Sequence, residues 1–503
     1  MNGALLLTQN GTAVKRGEIP EHAVDRFAEA LLEALEKGWR VVSYFGTPEG
    51  VFLRLYCLLS YKSDATLGIM STVVTTASFP SLVPYAPQLH LFEREIAEQF
   101  DLVFEGHPWA KPVRFQKPIA SPPGVAPTVP QKAGIMDFYR VGGDEVHEVA
   151  VGPVHAGVIE PGHFRFQCFG EEVLHLEISL GYQHRDVERM VLGPPTALTL
   201  KRMETVAGDT TIGHGTAYAI IVEGLADARV PARAHAIRGI ALELERLANH
   251  AGDLGAIAGD VGYLPTASFC GRIRGEFLNL SAELCGSRFG RGLVVPGGVN
   301  FDVGPELAAQ LVKRIGVARD ELVNAVELLW DTPSVMARLE GTGVVSEQTA
   351  LDLGLVGPAA RASGLNRDIR RDHPFGIYSM TQLPVETAKG GDVHARTLVR
   401  WLEIEKSLEF IEEQLAQLPG VAIRFPVGPV GADLLAVALT EGWRGEVCHV
   451  ALTDGSGFFE RYKITDPSFH NWSGLAMALR GGQISDFPLC NKSFNLSYCG
   501  FDL

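Results

Sequence analysis

The sequence predicts an α+β protein in unequal parts. A small N-terminal α/β sandwich-like domain comes first, then a proline-rich linker, then a mainly α long-helix bundle with small β elements. Three features carry this. Between Arg40 and Val74 lie runs rich in β-branched and aromatic residues, the composition of strands. Between Gln116 and Gln131 stand Pro118, Pro122, Pro123, Pro127 and Pro130, which suppress both helix and sheet. From Pro231 onward, long segments repeat apolar residues at helical spacing. The expected divisions are residues 1–115, 116–148 and 149–503, and 503 residues leave room for about three domains.

Val24, Phe27, Ala28, Leu31, Leu32 and Leu35 share one helical face and Gly38 follows, so residues 21–38 are expected to form the first helix. Strands are expected at Arg40–Phe45, Val51–Ser60 and Leu67–Val74, with a turn over residues 47–50 between the first two. A helix over Leu91–Phe100, with Glu93, Arg94, Glu95 and Glu98, completes a small sheet covered by helices on one face. The second part opens with strands at His163–Cys168 and Glu172–Ser179. Pro231–Gly252 then places Ile237, Ile240, Ala241, Leu244, Leu247 and Ala248 on one stripe. Glu306–Leu329, just after Pro305, and Ala395–Leu418 have the same character. Gly357-Pro358 and Pro419-Gly420 read as breaks, and strands return at Val447–Leu452 and Tyr462–Ile464. Arg238, Glu243, Glu245 and Arg246 on the long helix read, by themselves, as a solvated face with local pairs.

Hydrophobic residues make up 46% and charged residues 20%, enough apolar surface to exclude disorder as the main state. The net charge of -15 argues against nucleic acid as a partner. Seven cysteines without a CxxC pair suggest a reducing compartment and no disulfide framework. The stretch Met1–Gly17 lacks a basic residue ahead of its short apolar run, so no signal peptide is expected there. The uncharged window from Ala65 to Phe92 is broken by Pro80, Pro84 and Pro87, which argues against a membrane span.

Several motifs recur in order. In the first part these are Phe79-Pro80-Ser81-Leu82, Leu91-Phe92-Glu93-Arg94-Glu95 and Gly106-His107-Pro108. The second part has Gly152-Pro153-Val154-His155-Ala156-Gly157, Gly181-Tyr182-Gln183-His184-Arg185 and the run from Leu242 to His250. Val295-Pro296-Gly297-Gly298-Val299 and Asp466-Pro467-Ser468-Phe469-His470-Asn471-Trp472 follow. The first set resembles the 30 kDa-type subunit of respiratory complex I. The second resembles the 49 kDa-type subunit and the large subunit of group 4 nickel–iron hydrogenases, of the hydrogenase-4/formate hydrogenlyase type.

The resemblance implies a nickel–iron hydrogenase large-subunit-like fold for the second part. In hydrogenases four cysteine thiolates hold nickel and iron, and soft sulfur donors suit such a site. At the matching positions this sequence has Ala207, Thr210, Ser497 and Gly500, with Cys499 one residue out of register. The expectation is a chain without a nickel–iron centre. Its ending at Leu503, just after the second motif, fits that expectation, since hydrogenase precursors often carry a tail that is cut after metal insertion. The family's quinone ligands are also altered: the tyrosine position is Gly208 and the quinone-binding histidine aligns near Pro161, while His155 matches the first histidine of that loop.

Within the altered pocket, Asp209, Thr210, His214, Ser497 and Cys499 are expected to face one another. Asp209 and His214, with His155, are the candidates for proton chemistry, since burial and a partner shift such groups toward neutrality. The alternative is that Asp209 and His214 hydrogen-bond across a filled site. Glu160 resembles a magnesium-binding glutamate of some hydrogenases, although one carboxylate is a thin basis for octahedral ligation. His184, Arg185 and Glu188 fall where the family faces its iron–sulfur subunit, and Arg185 and Glu188 have the spacing of a helix-face pair. The resemblance also allows a charged path across the bundle at Arg238–Arg246.

The implied function is that of a peripheral subunit on the cytoplasmic side of the inner membrane, in a complex I-like oxidoreductase. Its partners would be an iron–sulfur protein, which holds the cluster, and antiporter-like membrane subunits. The alternatives are a quinone reductase of the NADH-quinone type with a modified acceptor site, and a purely structural subunit. No glycine-rich dinucleotide loop follows a strand, so any NAD chemistry would sit on another chain.

Overall fold

The computed structural model describes residues 3–61, 64–155, 157, 159–420 and 422–503. Ala156 of the Gly152–Gly157 motif, and Met1 and Asn2, lie outside them. The first part contains β1 (Leu6–Thr8), β2 (Ala13–Lys15), α1 (Val24–Glu36), β3 (Arg40–Glu49), β4 (Phe52–Tyr61), β5 (Thr66–Val74) and α2 (His90–Phe100). One antiparallel sheet has the order β1-β5-β4-β3, with Glu21–His22 added in parallel on β5. The hairpin between β3 and β4 is longer than expected. Pairing continues through Pro48 and Glu49, and the turn is only Gly50-Val51. Gly50 sits at φ +60, which glycine adopts without a Cβ clash.

Helices α1 and α2 cover one sheet face, where Phe27, Leu31, Phe92 and Ile96 meet Val41, Leu55 and Leu59 in one core. The other face is buried too. Val42, Phe45, Tyr56, Leu58 and Ile69 join a core built mainly from the second part of the chain. A sheet covered on both faces needs near-continuous apolar strands, which is how these strands read.

Gly106 to Glu145 contains no helix or strand, but the segment is anchored. Glu98 accepts the backbone N–H groups of Arg114 (2.9 Å) and Gln116 (3.1 Å), and Asp101 accepts the Ser121 hydroxyl (2.5 Å). Arg114 is buried, pairs with Glu95, and donates from Nε to the Phe501 carbonyl (2.8 Å). The linker is therefore fastened at both ends to folded structure.

Beyond it lie β6 (Val146–Val151), β7 (His163–Phe169) and β8 (Glu172–Ser179), in the antiparallel order β8-β7-β6. Then come α3 (Thr211–Leu225), α4 (Ala232–Asp260), α5 (Leu264–Cys285), α6 (Pro305–Trp330) and α7 (Val393–Ala416). The sheet of β9 (Leu434–Gly442), β10 (Gly445–Thr453) and β11 (Phe459–Thr465) takes β2 as its fourth strand, and α8 (Pro467–Leu479) follows. Residues 13–15 thus pair with the far end of the chain, at Leu434–Ala436. Gly357-Pro358 opens a short helix, Gly357–Ala362, rather than breaking one; proline near a helix start gives up no needed N–H.

The 29-residue α4 is buried on nearly every side, with α5 and α7 packed against it. Its charged residues correct the solvated-face reading: Arg238, Glu243, Glu245 and Arg246 are all buried. Each is met by a partner, as a buried charge must be. Glu243 accepts from Arg246 Nε (3.0 Å), Arg370 Nη1 (3.1 Å), Ser407 Oγ (2.6 Å) and Tyr378 Oη (2.6 Å). Glu403 accepts from Arg361 Nε (2.8 Å) and lies 2.9 Å from His250 Nε2, and Arg361 reaches on to Glu441 (2.8 Å). Arg238 pairs with Glu223 (2.6 Å). A chain of alternating charges therefore crosses the bundle.

Burial pushes the Glu243 carboxyl up, but Arg246 and Arg370, with the Ser407 and Tyr378 hydroxyls, outweigh it and hold it down to about 2. A depressed carboxyl stabilises the fold fully above its unfolded value of about 4.3, and that contribution is lost as pH falls through the folded value. Acid titration should therefore show stability declining between these two values. Glu243→Ala, which leaves Arg246 and Arg370 short of an anion, should cost about 3–5 kcal/mol at neutral pH, read as a lower urea midpoint, and should flatten the acid limb.

Candidate functional site

The site is assembled from three turns. The first is residues 205–210, between the short helix Ala197–Met203 and α3. The opening N–H groups of α3 have no partner inside the helix. Glu245 on α4 accepts two of them, from Ile212 (2.7 Å) and Gly213 (3.2 Å), which fixes where the turn ends. Burial raises the Glu245 carboxyl to about 8 against the pull of those hydrogen bonds. The second turn is residues 495–497. Asn495 ends the helix Phe487–Phe494 in the left-handed region (φ +46), and the Ser497 hydroxyl accepts the Gly500 N–H (2.9 Å) to start the terminal helix Tyr498–Asp502. The third is the β9–β10 hairpin, whose two-residue tip is Trp443-Arg444.

Arginines join these turns. Arg444 grips Asp209 with two parallel bonds, Nη1 to Oδ1 (2.6 Å) and Nη2 to Oδ2 (2.8 Å), the strongest form of this pairing. Its Nε donates to the Asn495 carbonyl (2.5 Å) in the second turn, and its guanidinium lies over the Trp443 ring. Trp443 Nε1 and Asn249 Nδ2 both donate to the Asp209 carbonyl, at 2.9 and 3.0 Å. Arg185 bridges the same two turns from the other side, donating to the carbonyls of Thr205 (2.8 Å), Val206 (2.9 Å) and Cys499 (3.5 Å).

Asp209 and His214 do not touch each other as the sequence suggested. Asp209 belongs to Arg444, while His214 sits in a separate buried series. His214 Nε2 lies 3.1 Å from Asp466 Oδ2, His214 Nδ1 lies 3.0 Å from His449 Nε2, and His449 Nδ1 lies 2.9 Å from the Tyr462 hydroxyl. Burial, reinforced by His214, keeps His449 well below the usual histidine range, so its ring is neutral. One of its nitrogens donates and the other accepts. Two proton arrangements satisfy the series: Tyr462 donating towards Asp466, or His214 carrying an extra proton beside Asp466 with the His449 tautomer reversed. The second arrangement holds one proton more: a proton entering at Tyr462 shifts the hydrogens along the series and leaves the charge beside Asp466. Burial raises the Asp466 carboxyl, but His214, Arg444 and the Ser468 N–H outweigh it and hold it below its ordinary value.

The positions matching the hydrogenase cysteines converge here. Ala207 offers a methyl group, and Thr210 and Ser497 offer hydroxyls, all three buried. At Gly500 an added Cβ would stand 2.6 Å from Asp466 Oδ2, so the aspartate occupies the room a side chain would need. Gly208, by contrast, faces open space. Burial and then Glu160 push the Cys499 thiol up to about 11, so it is protonated at neutral pH. This donor set does not fit a nickel–iron centre, which takes thiolates.

Glu160 accepts the Tyr498 N–H (3.3 Å) and lies against Cys499, and one carboxylate so engaged does not make octahedral magnesium ligation. Among the described residues no group of three or more His, Cys, Asp or Glu side chains is placed to hold a metal ion. His155 stands apart from His214, 3.0 Å from the Gly162 carbonyl. His184 Nδ1 lies 2.8 Å from the Asp502 carbonyl. The Arg185–Glu188 pair does not form. Glu188 is buried and bonds instead to Arg461 (3.0 Å) and Lys463 (3.1 Å), so it is not a surface contact residue; Arg185 is exposed.

Sequence reading missed Arg444, Asp466, His449 and Tyr462 as site residues. Gly442-Trp443-Arg444-Gly445, an aromatic–cation pair between two glycines, was the available signal for Arg444. Asp466 stood inside a quoted motif with no role given to it. Nothing local marks His449 or Tyr462, which reach the site only through strand pairing.

Comparison with known proteins gives a consistent result. Residues 260–430 match the family described as respiratory-chain NADH dehydrogenase, 49 Kd subunit, and residues 18–123 match the 30 Kd subunit family. The carbon monoxide-induced hydrogenase of Rhodospirillum rubrum is 31% identical over 69% of this chain and 97% of its own length. Formate hydrogenlyase subunit 5 of Escherichia coli (strain K12) is 29% identical over 88% of this chain and 81% of its own length. A chain in the structure of the membrane-bound sulfane sulfur reductase, an archaeal respiratory membrane complex, superposes with a TM-score of 0.66. It is 25% identical, and the match covers 73% of this chain and all of that one.

Arg185→Ala should free the turns that its guanidinium ties together. Hydrogen exchange is expected to speed up in residues 205–210 and 497–503 together, with a stability loss of about 1–3 kcal/mol, the range for hydrogen bonds to a charged group. Exchange unchanged in both segments would show that Arg444 alone holds them.

Proposed function

This chain belongs to the family of complex I 49 kDa-type subunits and group 4 hydrogenase large subunits, fused to a 30 kDa-type module, and from that membership we propose a redox-coupling role for it. In this role it docks an iron–sulfur protein and passes that partner's redox change to ion-translocating membrane subunits, without a nickel–iron centre of its own. The observation that carries the reading is the arginine-bridged pocket. Where thiolate chemistry would need sulfur it holds Ala207, Thr210, Ser497 and Gly500, yet it keeps buried ionisable groups connected to the bundle.

Electrons would enter on the partner's cluster, since this chain lacks the grouped cysteines a cluster needs. Negative charge arriving nearby draws a proton towards Asp466, and the Tyr462–His449–His214 series relays it, each group passing one hydrogen on as it receives another. Asp209, Arg444 and Glu245 feel the same change, because charges interact strongly in a low-dielectric interior. Glu245 leads on to Arg246 and the charges that cross the bundle. No helix among the described residues is long and apolar enough to span a membrane. In this reading the chain is held by its partners on the cytoplasmic face of the inner membrane.

The test is made on the complex purified with its partners. Elemental analysis should find iron but no nickel in proportion to this chain, and one nickel per chain would overturn the reading. Asp466→Asn should leave the complex assembled and its cluster reducible while lowering ion translocation at least tenfold. Full translocation in that variant would remove Asp466 from the mechanism. Loss of the reduced cluster's EPR signal on adding quinone would instead favour acceptor reduction in the modified pocket.

A further inference from the structure

A second, separate cavity of about 310 Å³ lies where α2, the linker, β8 and α8 meet. Its size falls at the lower end of small-molecule sites. The walls are mainly apolar: Leu91, Trp109, Val113, Leu180, Trp472 and Met477 contribute. Its polar groups are few, and most are already bonded. Arg94 lines the cavity, with Nε and Nη2 spent on the carbonyls of Lys111 (2.8 Å) and Pro112 (2.9 Å). Among the described residues its guanidinium has no carboxylate within ion-pair distance, and Nη1 makes no bond within the protein. Burial lowers its pKa to about 10, the mark of a cation that is poorly compensated.

Two further wall residues are almost wholly buried and still lack a partner. Trp472 is 3% exposed and Ser179 4% exposed, and neither Trp472 Nε1 nor Ser179 Oγ has one. His175 Nε2 is likewise unmatched. These three atoms are themselves covered, so the free donor that opens on the space is Arg94 Nη1. The acidic group on the wall, Glu177, is already committed to Lys111 (2.6 Å) and the Tyr139 N–H (2.7 Å). His90 is bonded to Ser473 Oγ (2.7 Å) and kept neutral by burial. Arg480 stands exposed at the rim and adds positive charge.

We propose that this cavity binds a single-chain amphiphile, its anionic head held at Arg94 and its apolar tail lying between Trp472, Met477 and Leu91. The site is distinct from the arginine-bridged pocket and does not depend on the redox role. A protein segment would suit the space less well, because the walls come from separate parts of one chain and close round one free guanidinium N–H rather than an open strip.

Titration calorimetry on the full-length protein tests this with dodecanoate, below its micellar concentration, against dodecanol. Dodecanoate should saturate at one per chain and bind at least tenfold more tightly than dodecanol. Arg94→Gln should remove that preference. Because Arg94 also holds the linker, Ala476→Phe gives an independent test: it fills the cavity from α8 and should abolish binding while the melting temperature stays near wild type. No saturable binding by the wild-type protein, equal affinity for acid and alcohol, or wild-type affinity in Ala476→Phe would each overturn the proposal.

Discussion

Charged groups buried in this protein have to be paired where they stand, and the arginines do that pairing across long stretches of sequence. Arg444 joins Asp209 to Asn495, and Arg185 joins Thr205 to Cys499. Arg361 joins Glu403 to Glu441. A guanidinium can serve this way because its donors are fixed in a plane and it stays charged when dehydrated. Removing one partner strands the other, so each bridge makes two distant segments depend on each other. In the site, the bridges tie the two turns that a metal centre would tie in a hydrogenase.

The same logic explains why the two parts of the chain pack as closely as they do. Glu95 on α2 meets Arg114 in the linker and Lys463 on β11, and Lys463 also reaches Glu188. Arg40 at the start of β3 pairs with Glu446 on β10. These buried contacts run alongside the apolar face that β3, β4 and β5 share with the second part. The proline-rich linker has no helix or strand, and Glu98, Asp101 and Glu177 hold it at Gln116, Ser121, Thr128 and Tyr139.

Much of the fold could be read from the sequence because it depends on local pattern. β3, β4, β5, α2 and α7 fall within a few residues of the expected bounds, since periodicity and stop residues lie in the segments themselves, whereas β1 was not expected and Glu21–His22 pairs as a strand where the first helix was expected to begin. The 22-residue α5 escaped because Gly271, Gly275 and scattered charges blur its stripe. β9 escaped because its alanines carry little strand signal. Glu243 and Arg246 were misjudged because Arg370, Tyr378, Ser407 and Glu403 lie more than a hundred residues away. The site divides along the same line. Motifs point to the turns that carry Thr210 and Ser497, whereas the partners of Asp209 and His214 are set by a hairpin tip and a strand register.

The close approach of Gly500 to Asp466 bears on how such a chain can evolve. Asp466 spends one oxygen on the Ser468 N–H and the other on His214, so it cannot swing aside without uncapping α8 or orphaning the histidine. A lone cysteine mutation at 500 would meet that carboxylate before it could help any ion. Change at 500 is thereby coupled to 466: a thiol there would need the carboxylate to move first.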